Sequence, residues 1–341
     1  INDNKKYLTL SDKNRIREWK LPPTRGEIVD YFGNIIAGNL KVYQLHIIPE
    51  QVENFNYLLS RLKTLLELTD KKIAKILKSK NQKKPWESII VAENLSWVQF
   101  LKINNYMHDL VGVKPVMTIS RNYPFSEIYT HVLGYVSQPN ENDILENETI
   151  QERFVTGMKV GKLGLEKRLE NYLIGTNDIQ RYEVNAYGKR INQLEHQRGQ
   201  HGSKIRLTVD TEIQKLSAKL LANKAGSISV MDIYTGDVLA MYSSPSYDPN
   251  LFLFGISNDD WQLIRNNSLK PLINKTLSGL YSPGSTIKPI VALSALENKT
   301  VNESFKVRCT GKTELYGQTF HCWKEKGHGY VNLKEAMKQS C

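Results

Sequence analysis

Two strand-like runs around a four-residue turn constrain the second half of this chain most. Residues 227–233 and 238–242, rich in apolar and β-branched residues, flank Tyr234-Thr235-Gly236-Asp237, and two strands joined that tightly must lie antiparallel. Before the hairpin come a strand over 204–210 and a helix in which Thr211 and Gln214 carry capping-box spacing, closed by Gly226. After it, a long excursion leads to another helix. Strand, helix, hairpin, excursion, helix is an α+β order, and it excludes the βαβ alternation of a doubly wound sheet.

The first half reads differently. Residues 1–20 are polar with a helix-like amphipathic stretch, and Arg25-Gly26-Glu27-Ile28-Val29-Asp30 reads as turn into strand. Val52, Phe55, Leu58, Leu59, Leu62, Leu65 and Leu66 follow helical spacing over 50–66, and Ile73, Ile76 and Leu77 begin a second helix. Val111 and Val113 open a strand that runs into a turn at Arg121-Asn122-Tyr123-Pro124. Residues 138–147 read as a loop. Beyond them Gly161-Lys162-Leu163-Gly164-Leu165-Glu166 opens a helix, and a strand-like region dissolves at Gln197-Arg198-Gly199-Gln200-His201-Gly202. That stretch divides the chain into a segment 1–20, a domain over 21–200 and a second domain over 201–341.

A chain of 341 residues is long enough for two separate cores. With 40% hydrophobic and 24% charged residues it is globular, and no apolar run reaches the length of a membrane span. The net charge of +11 comes from scattered lysines that concentrate between Lys63 and Lys84. A solvated helix face accounts for that cluster without a nucleic acid partner; attraction to an anionic membrane or cell-wall surface is the functional alternative.

Ser285-Thr286-Ile287-Lys288 sets a hydroxyl three residues before an amine at a helix start. Pro283-Gly284 precedes it, and Ile287, Ile290, Val291, Leu293 and Leu296 follow in helical spacing. Positions i and i+3 share a helical face, so Lys288 can serve as the base that a weak serine nucleophile requires. Ser340, after a helix over 332–339, is a second hydroxyl near a helix end. All three cysteines fall in the last 33 positions. Cys309, Cys322, His328 and Cys341 make a three-thiol, one-imidazole set with the ligand types of a tetrahedral zinc site. Their spacing matches no finger signature. A Cys309–Cys322 disulfide with Cys341 free, or three small apolar residues, are the alternatives; His321 is the competing imidazole.

Taken together, the Ser-x-x-Lys tetrad, the hairpin ending in Ser243-Ser244-Pro245-Ser246-Tyr247-Asp248-Pro249-Asn250, and the Gly161 to Glu166 stretch resemble class B penicillin-binding proteins. His131-Val132-Leu133-Gly134-Tyr135-Val136, Asp248-Pro249-Asn250-Leu251-Phe252 and Trp323-Lys324-Glu325-Lys326-Gly327-His328-Gly329 resemble the elongation-type branch. The resemblance implies a pedestal, or dimerisation-type, domain followed by part of a transpeptidase domain with an antiparallel sheet and flanking helices. It implies a D,D-transpeptidase of peptidoglycan stem peptides ending in D-Ala-D-Ala, inhibited by β-lactams, with Ser285 as nucleophile, Lys288 as base and Ser340 as proton relay. A non-catalytic cell-wall scaffold or β-lactam sensor is the alternative. It further implies zinc at the cysteine cluster, docking of a SEDS-family glycosyltransferase and an MreC-type scaffold, and a single N-terminal anchor outside this chain holding it at the periplasmic face of the inner membrane. Tyr31-Phe32 stands where the family carries Arg-Asn. Ser340-Cys341 begins the family's Ser-x-Asn/Asp motif and no Lys-Thr-Gly strand appears, so the chain is expected to be part of a longer enzyme and a poor catalyst alone.

Overall fold

The computed structural model describes residues 16–184 and 190–341; most of the 1–20 segment lies outside them. Two compact units appear, residues 1–279 and 280–341. In the first, the long strand Ile35–Ile47 is the spine of a five-stranded sheet. It pairs antiparallel with Ile28–Val29, Ile89–Leu95 and Val113–Asn122, and Ile205–Arg206 joins Ile28–Val29 in parallel. A second sheet holds Ile16–Leu21, Asp178–Val184 and Arg190–Gln197, all antiparallel. The expected hairpin forms as Gly226–Met231 and Val238–Ser244.

The two expected helices form as Phe55–Leu66 and Asp70–Gln82, capped by the side chains of Asn54 and Thr69. Leu58, Leu59, Leu62 and Ile76 turn onto Leu45, Ile47, Ile89 and Val91 of the sheet. The lysines at 63, 71, 75, 78, 80 and 84 stand exposed on the other side of these helices and just beyond them, as a solvated face requires. Residues 138–147, read as a loop, contain the helix Glu141–Glu146, set by a capping box between Asn140 and Asp143. It lacks the apolar periodicity that would have announced it. The helix Thr211–Leu220 is capped by Asp210 and not by a Thr211/Gln214 box. Thr211 is drawn inward to the buried Asp30 carboxylate, and the Gln214 amide bonds the Ile128 and Met241 carbonyls.

Residue 200 lies inside the first unit. The Gln- and Gly-rich stretch around it is tied down, with Gly202 N–H on the Thr24 carbonyl at 3.0 Å and Ser203 N–H on the Tyr172 carbonyl at 2.8 Å. Val209 and Leu253 share a core with Ile28, Tyr123, Leu133 and Leu173, so chain on both sides of residue 200 buries one surface.

At the centre of this unit Glu166 lies fully buried between two guanidinium groups. Arg25 Nε donates to its Oε2 and Arg121 Nε to its Oε1, both at 2.6 Å, and the Tyr123 hydroxyl adds a bond at 3.2 Å. Arg25 also grips Glu170 with two bonds of 2.8 Å. Burial opposes the charge on Glu166, but Arg25 and Arg121 override it and hold the carboxyl below its usual range. Gly161 must be a glycine here: a Cβ would come 2.1 Å from the Glu166 carbonyl oxygen, and its N–H caps Glu170 at 2.7 Å.

Replacing Glu166 with Gln leaves the buried Arg121 without a carboxylate and Arg25 with Glu170 alone. Such a change costs on the order of 3–5 kcal/mol, and denaturant titration should read it as a lowered midpoint at unchanged slope. Because the folded-state pKa of Glu166 is depressed, its stabilisation is present above the unfolded carboxylate range, about 4.3, and is lost as pH falls below it. The acid slope of wild-type stability should therefore flatten in Glu166→Gln.

Candidate active site and metal-binding cluster

Every expected site residue falls in the unit 280–341. Ser285 lies in a single 3-10 turn, Gly284–Ile287, which Pro283 starts at φ −66° and which runs directly into the α-helix Lys288–Glu297. Pro289 occupies the first turn of that helix, where no N–H is needed. A 3-10 turn has three residues per revolution, so Ser285 and Lys288 are stacked one above the other. The Ser285 N–H, in the first turn, is left without an intrahelical acceptor. The helix expected from the apolar spacing of Ile290, Val291 and Leu293 forms, and these three side chains stand exposed on it.

Ser340 terminates the helix Leu333–Gln339, which Asn332 caps at its start. Its backbone is left-handed, φ 52° and ψ 41°, a conformation that suits Gly or Asn better than Ser. The turn sends its side chain onto the Ser285 turn: Ser340 Oγ lies 2.8 Å from Ser285 Oγ. The Lys288 ammonium donates to Ser340 Oγ at 3.1 Å and to the Ser340 carbonyl at 2.8 Å. The sequence suggests that Lys288 meets Ser285 directly; instead the amine meets Ser340, and Ser340 meets Ser285. Two hydroxyls and an amine in a continuous hydrogen-bonded line can pass a proton from the first oxygen to the nitrogen, since hydroxyl hydrogens rotate to suit.

Cys309, Cys322 and His328 lie in or beside two nested antiparallel strand pairs, and Cys341 follows the helix Leu333–Gln339. Lys306–Cys309 pairs with Gly329–Asn332, and Lys312–Leu315 with Gln318–His321. Gly311 and Gly327 are packed so tightly that a Cβ would come 1.9 Å from the Glu325 oxygen and 2.1 Å from the Cys309 oxygen. Cys309, Cys322, His328 and Cys341 converge, with their four ligand atoms within 4.8 Å of one another. His328 Nδ1 is 3.4 Å from the Cys322 sulfur and 3.9 Å from the Cys309 sulfur. The other ring nitrogen, Nε2, is buried without a partner. The backbone N–H groups of His328 and Gly311 push the Cys309 thiol down to about 6, and burial followed by the Cys309 neighbour pushes Cys341 up to about 11. All three cysteines are free thiols, half-buried. His321 faces away on its own exposed strand.

One contact in this unit has no counterpart in the sequence reading. The Trp323 indole N–H donates to the Gln339 carbonyl at 2.9 Å, and its ring meets the His328 imidazole edge-to-face at 5.2 Å. Trp323 is recognisable in sequence only as part of the stretch from 323 to 329.

Residues 20–207 match the Penicillin-binding Protein dimerisation domain, and residues 226–341 the Penicillin binding protein transpeptidase domain. The chain is 37% identical over 340 residues to the peptidoglycan D,D-transpeptidase MrdA of Escherichia coli K12, a match over 98% of this chain and 53% of that protein. The MrdA of Haemophilus influenzae is 34% identical, over 98% of this chain and 52% of that one. Among solved structures, penicillin-binding protein 2 of Helicobacter pylori in complex with MreC superposes with a TM-score of 0.79 at 29% identity, over 95% of this chain and 60% of that one. Penicillin-binding protein 2 of Pseudomonas aeruginosa, in complex with WCK 5153, gives 0.62 at 28% identity, over 95% of this chain and 52% of that one. The chain thus spans about half the length of the curated relatives it matches. A dimerisation domain followed by a transpeptidase domain is the order of a penicillin-binding protein, and this chain belongs to that family.

Proposed function

We propose that this chain belongs to a peptidoglycan D,D-transpeptidase that cross-links stem peptides through a serine acyl-enzyme during cell elongation. The observation that carries the reading is the line Ser285 Oγ, Ser340 Oγ, Lys288 Nζ, with steps of 2.8 and 3.1 Å. With the Lys288 amine neutral, the direction of donation reverses. Ser285 then gives its proton to Ser340, Ser340 gives its own to Lys288, and the Ser285 oxygen attacks the carbonyl of the penultimate D-alanine. The terminal D-alanine leaves as its nitrogen takes the proton back along the same line, and an amine from a second stem peptide resolves the ester. The free Ser285 N–H is suited to hold the developing oxyanion. β-Lactams, which offer a strained amide in place of the substrate's terminal one, would acylate the same oxygen.

Zinc is the metal this reading adds. The residues fit it: three thiols and an imidazole nitrogen within one small shell, close to the spacing of about 3.8 Å that a tetrahedral zinc imposes on its sulfur ligands. Cys309, Cys322, Cys341 and His328 Nδ1 would hold the ion, and its contribution would be to fix the chain at Cys341, the residue after Ser340. The domain over 20–207 would act as the pedestal, meeting an MreC-type scaffold as the Helicobacter pylori relative does, and a SEDS-family glycosyltransferase. The setting would be the periplasmic face of the inner membrane. Among the described residues no helix is long and apolar enough to cross a membrane.

Labelled penicillin tests the first reading. In the full-length protein, Ser285→Ala should abolish covalent labelling and Lys288→Met should slow it by on the order of 10²–10⁴; labelling of Ser285→Ala at the wild-type rate would refute the nucleophile assignment. Elemental analysis of protein purified without chelator tests the second and should return one zinc per chain. Chelation should then lower both the melting midpoint and the acylation rate, and zinc-free protein with an unchanged midpoint would remove the metal.

A further inference from the structure

We propose that Trp323 is a positioning residue for the acylation step, acting through the peptide plane that carries Ser340. The inference rests on the reading of Ser340 as the proton relay. The Gln339 carbonyl and the Ser340 N–H are the two ends of one rigid peptide unit. The N–H end is shared between the Ala336 carbonyl and, at 3.3 Å, the Met337 carbonyl. The carbonyl end is one of the last four in the helix and has no intrahelical donor. Trp323 supplies that donor at 2.9 Å. With both ends held, the plane cannot tilt, and the direction in which the Ser340 Cβ leaves the backbone is fixed.

That direction matters because Ser340 is in the left-handed region, where a β-carbon is not at ease and a relaxed helix end would rotate away. A shift of about an ångström at Ser340 Oγ breaks both of its bonds, to Ser285 and to Lys288, since each is already 2.8 to 3.1 Å long. Trp323 is itself held from the cysteine cluster. It follows Cys322 in the chain and its ring leans on His328. With 70% of its surface exposed it is not held by burial. The indole is therefore a strut from the ligand loop to the relay hydroxyl, independent of the backbone link through Cys341.

Trp323→Phe removes the N–H and keeps the ring on His328, so it isolates the strut. In the full-length protein, stopped-flow acylation by a fluorescent penicillin should show the covalent rate constant reduced about tenfold, the weight of one hydrogen bond. The dissociation constant of the preceding complex and the zinc content should stay at wild-type values, and the melting midpoint should fall by no more than one exposed hydrogen bond accounts for. Trp323→Ala, which also loses the ring contact, should lower the midpoint further. Ser340→Ala separates the two layers of inference. If it acylates at the wild-type rate, the relay role falls and the positioning role with it. If Ser340→Ala is slow but Trp323→Phe matches wild type, the positioning role alone is overturned. A loss of rate in Trp323→Phe that merely follows a loss of folded protein would overturn it too.

Discussion

A single buried carboxylate, Glu166, holds the first unit together. It receives Arg25 from the chain entry, and Arg121 and Tyr123 from the end of the longest strand pair. These partners are 43 to 141 residues away in sequence. Glu170, one turn further on, takes the second fork of Arg25 and the Gly161 N–H. Charges this deep are stable only when nearly every lone pair and proton is used. The network comes close: only Arg121 Nη2 lacks a partner. The consequence is specificity of arrangement. Strand, turn and two short helices meet in an arrangement that leaves neither Glu166 nor Glu170 unpaired.

This also explains why family-like stretches recur in a half that carries no catalytic group. Gly134 and Gly164 approach so closely that a Cβ on Gly134 would lie 2.0 Å from the Leu163 oxygen. The stretch around Gly134 and the stretch around Gly164 are therefore two sides of one contact, and Glu166 is delivered to Arg25 by that contact. Tyr31 and Phe32, where the chain departs from the family pattern, are exposed and meet only each other edge-to-face among ring contacts. A departure is tolerated there because nothing in the network reaches them.

What could be read in the sequence divides along the same physical line. Periodic elements were legible: the Phe55–Leu66 and Asp70–Gln82 helices, and the hairpin after Gly226. The helix Glu141–Glu146 was not, because its order comes from a polar capping box and not from an apolar stripe. Thr211 and Gln214 misled for the opposite reason, since a good local cap was overridden by tertiary partners, Asp30 for one and the Met241 carbonyl for the other. At the site, residue types and spacing pointed to Ser285, Lys288 and the four candidate ligands, whereas Ser340 stood out only through the resemblance to penicillin-binding proteins. The connection among the first three, Lys288 to Ser340 and Ser340 to Ser285, spans more than 50 residues and depends on one left-handed turn. No local pattern encodes that.

The left-handed turn at Ser340 is where stability and chemistry pull against each other. A glycine there would relieve the backbone, but it would delete the hydroxyl that bridges Ser285 and Lys288. Serine is retained at a backbone cost of order 1–3 kcal/mol, and the surroundings must outweigh that cost. They do so from three directions: the Lys288 ammonium on the Ser340 carbonyl and hydroxyl, the Cys341 N–H on the Ala336 carbonyl, and the Trp323 indole on the Gln339 carbonyl. Lys288 is then more than a neighbour of the two hydroxyls. Its amine also bonds the Ser340 and Cys341 carbonyls, so it grips the helix end itself, and the indole and the Cys341 N–H hold the same end from the other side of the peptide plane.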